Sequence, residues 1–153
     1  MLANNQNVFR WVIIISSFFI ISLILWNTYD FFQKFKYEER IKMQTWSFAQ
    51  SDFLKGMDDL DADVSSLTTQ VMETNTTTPM IFVDGNGSIF NIRNIDTSSI
   101  KNPKIYLSML KERFEKENIP IEVTYKDTTF GTIVYGNSEL LNKLKYYPLA
   151  LIL

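Results

Sequence analysis

The residues with the most chemical reach in this chain are its carboxylates, its tyrosines and one arginine on a predicted strand. In Asp58-Asp59-Leu60-Asp61-Ala62-Asp63, the side chains of Asp59, Asp61 and Asp63 have the alternate spacing of a loop that wraps a cation. An EF-hand-like loop also needs a turn-forming Gly at its sixth position and a bidentate Glu at its twelfth, where this sequence has Val64 and Gln70. A solvated acidic face is the better reading, and no metal is expected. The chain contains no Cys and no His, which removes thiol nucleophiles, disulfides, Cys or His zinc sites and imidazole acid–base chemistry. No carboxylate pair is tied by spacing to a glycine-rich loop or a nucleophile, so no catalytic residue and no cofactor is assigned, and the chain is not expected to be an enzyme. Arg93, Tyr125 and Tyr135 are the polar-tipped residues that could orient an acidic ligand. Their structural alternative is plain: tyrosines on strands are commonly half-buried, and Arg93 can simply end its strand in solvent.

These residues depend on the elements that carry them, and the first is a membrane span. Trp11 to Tyr29 is uncharged throughout and close to the roughly 20 residues that cross a hydrocarbon core as a helix. Trp11 and Trp26 bracket its most apolar part, as interfacial rings do. Asn27-Thr28-Tyr29-Asp30 lacks the small-residue pattern of a signal-peptide cleavage site, so the span is read as an uncleaved anchor with lipid as its partner. At the other end, Lys143-Leu144-Lys145-Tyr146-Tyr147-Pro148 leads into Leu149-Ala150-Leu151-Ile152-Leu153, which reads as the start of a second span. The formal net charge of −2 offers no basic footprint for nucleic acid.

Between these ends an α+β domain is expected. Apolar residues recur at Trp46, Ala49, Phe53, Met57, Leu60, Val64, Leu67 and Val71 in helical steps, with a break near Gly56. Trp46, Ala49 and Phe53 are the candidates for the seam of a parallel homodimer, with the distal part of the stripe turned to the protein's own sheet. Thr74 to Pro79 reads as a linker, and Met80-Ile81-Phe82-Val83, Asp84-Gly85-Asn86-Gly87 and Ser88 to Ile92 as a hairpin. Asn102 and Pro103 open a helix that Pro120 closes. Ile121, Val123 and Tyr125 alternate with polar residues, and a partner strand follows through Ile133, Val134 and Tyr135. The expectation is a small antiparallel sheet of about four strands with helices on one face. The divisions are a tail at 1–10, a span at 11–29, a helical region at 30–73, the α+β domain at 74–137, and a helix entering the second span at 138–153.

Several segments carry a family resemblance. Arg10 to Ser17, Asn27-Thr28-Tyr29 with Phe31 to Lys36, Glu38 to Met43, and Leu140 to Pro148 resemble the N-terminal part of membrane sensor histidine kinases of the Bacteroidota type. Val83-Asp84-Gly85-Asn86-Gly87-Ser88-Ile89 is similar to the hairpin of PAS-like and Cache-like sensor domains. The resemblance implies an inner-membrane receptor with two spans, a periplasmic sensor between them that takes a small ligand or an envelope protein, and a cytoplasmic transmitter beyond. The transmitter's phospho-accepting His and ATP site have no counterpart here, so the chain is at most the input module. Its rival is a small membrane-anchored scaffold of the cell envelope. Charge opposes the implied topology: Lys34, Lys36, Arg40 and Lys42 follow the first span while only Arg10 precedes it, which the positive-inside rule reads as a cytoplasmic domain.

Overall fold

The computed structural model describes residues 2–58 and 65–152. Asp59, Asp61 and Asp63, weighed above as cation ligands, lie outside the described residues. The element order is α1 (Leu2–Asp58), α2 (Ser66–Thr74), β1 (Met80–Asp84), β2 (Ile89–Arg93), α3 (Pro103–Glu117), β3 (Ile121–Tyr125), β4 (Thr128–Tyr135) and α4 (Glu139–Ile152). The fold is α+β, as expected.

α1 is one helix of 57 residues that ends at Asp58, two residues past Gly56 and at the start of the acidic stretch where the break was expected. Its most apolar 18-residue window has a mean hydropathy of 2.4, and none of that window is buried against the rest of the protein. Side chains such as Phe18 (72% exposed) and Trp26 (78%) stand free of any protein contact that would cover them. α1 is long and apolar enough to cross a membrane, and its bare apolar surface is compatible with insertion.

The sheet is antiparallel with strand order β2-β1-β4-β3, so the two hairpins lie side by side with β1 and β4 at the centre. In the first hairpin, Asp84 Oδ1 accepts from the backbone N–H groups of Asn86 (2.9 Å) and Ser88 (2.8 Å), and Gly87 takes a φ of +80° that glycine adopts without penalty. The second hairpin turns on Lys126 and Asp127, with φ of 48° and 59°, the doubly positive geometry of a type I′ turn.

Helices cover both faces of the sheet, which corrects the one-face expectation. Met43 and Trp46 of α1 pack on Met80, Phe82, Ile121, Val123, Ile133 and Tyr135. On the opposite face Leu110 and Phe114 of α3 pack on Ile81, Val83 and Val134. The cause is in the central strands, whose consecutive residues Met80-Ile81-Phe82-Val83 and Ile133-Val134-Tyr135 are all buried and therefore need cover on each side. β3 at the edge alternates buried and exposed positions and needs cover on one side only.

The helical stripe also sorts differently from the expectation. α2 folds back along α1: Thr68 Oγ1 donates to Asp52 Oδ2 (2.6 Å), and the Trp46 indole N–H donates to the Met72 carbonyl (3.3 Å). Trp46 is 1% exposed and Ala49 is buried, both within this subunit, while Phe53 is half-buried. Trp46 is thus taken up by the chain's own sheet and α2, Ala49 is likewise buried within the chain, and neither faces a partner. The segment read as a linker is tightly held. The Asn75 side chain accepts from Thr78 N–H (3.2 Å) and donates to the Thr78 carbonyl (3.0 Å), and Asn94, at a φ of 55°, donates to the carbonyls of Asn75 and Thr78.

Candidate functional site

The direction of the chain decides what meets at the edge of the sheet nearest the apolar part of α1. Ser47 Oγ donates to the Glu122 carbonyl (3.0 Å) and Ser51 Oγ to the Thr124 carbonyl (2.6 Å), so α1 and β3 run the same way. β4 is antiparallel to β3 and therefore returns toward the level of Glu39. There the Ser138 N–H donates to Glu39 Oε2 (3.4 Å), Ser138 Oγ accepts from the Leu141 N–H at the start of α4 (3.3 Å), and Leu141 is fully buried. The chain consequently enters and leaves the sheet at one edge, with α4 packed on α1.

A cleft of about 1130 Å³ opens at this junction. α1 supplies one wall, the 76–79 and 94–96 loops another, α3 the floor, and the start of α4 the last. The floor is apolar at Leu110 and Phe114, while charges of both signs line the rest: Glu38, Glu39, Asp96 and Glu139 against Lys42, Arg113 and Lys143. Lys42 Nζ donates to Thr77 Oγ1 (2.9 Å), and burial pushes the Lys42 ammonium below the usual lysine range, with neighbouring Glu39 opposing that shift. Glu117 braces the wall from outside, accepting from the Asn137 N–H (2.9 Å) and from Arg113 Nε (3.5 Å). An apolar floor with a polar, charged rim is suited to binding a small ligand that carries opposite charges. Among the described residues no cluster of metal-ligating side chains occurs.

The residues singled out from sequence fall elsewhere and apart. Tyr125 lies beside Thr128 at the far end of β4 from Tyr135, roughly 23 Å away at about 3.3 Å per residue. Its ring contacts Phe130, with Lys55 and Lys126 over it at 5.9 and 4.9 Å. Tyr135 is 2% exposed; burial raises its hydroxyl pKa, and the Arg40 guanidinium beside it pulls the other way. Arg93 ends β2, half-buried, with Met80 between it and Tyr135 in one cross-strand row. The three do not converge on one ligand, and none lines the large cleft. The cleft residues Glu39, Lys42 and Ser138 escaped sequence reasoning because Glu39 and Ser138 meet across 99 positions with no local pattern to mark them.

No protein-family model, no curated protein and no solved structure matches the chain.

Proposed function

We propose that this chain is the membrane-anchored, periplasmic signal-sensing module of a bacterial inner-membrane receptor of the two-component sensor histidine kinase type. The observation that carries the reading is the junction of α1 and α4 at a single edge, with the cleft built from both helices. A ligand or envelope protein that spreads or closes the cleft acts directly on the Glu39–Ser138 contact and on buried Leu141. It thereby shifts the helix leading from the first span against the helix leading to the second. The coding sequence beyond Leu153 is expected to complete a span of about 20 residues and enter a helix carrying a phospho-accepting His. A stop at that point with no transmitter encoded alongside would favour the envelope scaffold.

The cations that oppose a periplasmic placement have structural employment. Lys34 pairs with Asp30 (2.8 Å), Lys36 Nζ and Arg40 donate to the Glu117 and Ile119 carbonyls (2.7 and 3.1 Å) at the C-terminal end of α3, and Lys42 donates to Thr77. Positive charge at the negative end of a helix dipole is stabilising wherever the domain lies. Placement is tested at Asn86, exposed at the β1–β2 turn in a chain without native Cys. A membrane-impermeant maleimide is expected to label Asn86→Cys in cells with a permeabilised outer and intact inner membrane. An Asn5→Cys thiol should react only once the inner membrane is broken, and the reverse pattern would place the domain in the cytoplasm.

A further inference from the structure

α1 turns one stripe toward the cleft. Phe31, Phe35, Glu38 and Lys42 recur at steps of four, three and four and so share a face of the helix, and the last three line the cleft. The lower end of the stripe is apolar: the Phe31 and Phe35 rings meet edge to face at 4.8 Å, and Phe31, only two residues past Tyr29, is 49% exposed. Leu140, 52% exposed, adds apolar surface on the α4 wall. An apolar track thus leads from the end of the uncharged segment of α1 to the cleft floor at Leu110 and Phe114. The charges above it sort into used and unused. Lys143 pairs with Glu139 (2.7 Å) and Arg113 with Glu117 (3.5 Å). Among the described residues Glu38 and Asp96 pair with no cation, although Glu38 stands one turn from Lys42, and Lys42 donates to the neutral Thr77 hydroxyl. One ammonium and two carboxylates therefore remain for a ligand.

We infer that the cleft takes a single-chain phospholipid with a zwitterionic head, drawn from the bilayer, with its phosphate on Lys42, its primary ammonium against Glu38 and Asp96, and its acyl chain along Leu110, Phe114 and the Phe35–Phe31 track. The inference deepens the sensing reading of the cleft and rests on it and on the membrane reading of α1. Height supports the bilayer as the source, because the stripe from Phe31 to Lys42 covers about 3 to 20 Å beyond Tyr29 at 1.5 Å per residue, which begins at the lipid head groups. Charge selects the head. A phosphate alone would satisfy Lys42 but face two carboxylates, whereas a head with both signs matches all three groups. Size selects one chain: a cleft of about 1130 Å³ lies at the top of the usual range for small-molecule sites of roughly 300–1,000 Å³.

The test uses the full chain in nanodiscs of phosphatidylglycerol, with an environment-sensitive fluorophore on Thr76→Cys, an exposed cleft position in a chain without native Cys. Monoacyl phosphatidylethanolamine is expected to shift the emission to the blue and to saturate, while the same fluorophore on Asn86→Cys, at the far end of the sheet, stays unchanged. Monoacyl phosphatidylglycerol of equal chain length and tailless glycerophosphoethanolamine should each bind several-fold more weakly. Lys42→Gln, which removes the ammonium, and Phe31→Glu, an exposed change on the apolar track, should each weaken the phosphatidylethanolamine response several-fold. Equal binding of the tailless head group would overturn the bilayer source and leave a sensing cleft for a soluble zwitterion standing. Equal binding of the anionic lipid, an unchanged response in both variants, or no saturable shift at Thr76→Cys would overturn the inference. The membrane reading fails separately, if alkaline carbonate releases the chain from native membranes.

Discussion

Trp46→Ala is expected to cost about 3–5 kcal/mol of folding stability, the range for deleting a buried aromatic side chain. Trp46 is 1% exposed, fills the space between α1 and the sheet beside Met80, Phe82 and Tyr135, and ties down α2 through its indole N–H on the Met72 carbonyl. Its removal leaves a cavity that rigid neighbours on two strands cannot collapse into, and releases α2 as well. Trp46→Phe retains most of the apolar contact and forfeits the hydrogen bond, so a loss of about 1 kcal/mol from that bond is expected, with a smaller packing term added. Urea unfolding of the detergent-solubilised chain, followed by far-ultraviolet circular dichroism, measures both. An alanine variant within about 1 kcal/mol of the parent, a typical surface-like effect, would show that α1 does not clamp the sheet.

Gly131→Ala is expected to destabilise by about 3 kcal/mol, the upper part of the overpacking range. A Cβ at this position would overlap the Val83 carbonyl oxygen and lie 2.8 and 2.9 Å from two atoms of the Phe82 ring. The ring could turn, but the carbonyl belongs to β1, whose pairing with β4 forms the centre of the sheet, so the backbone itself must move. Gly85 is the control. Its nearest atoms to an added Cβ, the Phe130 and Thr129 carbonyl oxygens, are 3.7 and 3.8 Å away, so Gly85→Ala is expected to fall within roughly 0.5 kcal/mol of the parent. Thermal unfolding of the two variants side by side decides the matter, and equal midpoints would remove the close approach of β1 and β4 from the account of the fold.

What could be read from sequence was whatever is written locally. The apolar N-terminal helix, the Asp84-Gly85-Asn86-Gly87 turn, the Asn102–Pro103 helix start and the alternation of Ile121, Val123 and Tyr125 each declare themselves locally, and each of these elements lies where expected. The second sheet cover was missed by the one-face expectation although its signal was local, since Met80-Ile81-Phe82-Val83 is a continuous apolar run, and a strand with one wet face does not carry one. The side of α1 that meets the sheet could not be found this way. Periodicity gives the angle between residues on a helix but not the direction of the sheet, so the strongest stripe, through Trp46, was matched to a partner when it belongs to the core. The cleft is further still from local pattern, because its walls come from four separated stretches of chain.

The unbroken course of α1 also sets a compass bearing. From Leu2 to Lys55 the sequence has neither proline nor glycine, the usual causes of a kink, so the helix behaves as a shaft roughly 86 Å long. On such a shaft the azimuth of the sheet about the helix axis, and about the membrane normal in the membrane-anchored arrangement proposed above, follows from the number of residues between the apolar segment and Met43. Adding one residue between them turns the domain by about 100° and lifts it by about 1.5 Å, while adding seven nearly restores the bearing one level higher. The interval from Trp26 to Met43 is thus a calibrated length, and the identity of several exposed residues within it matters less than their number.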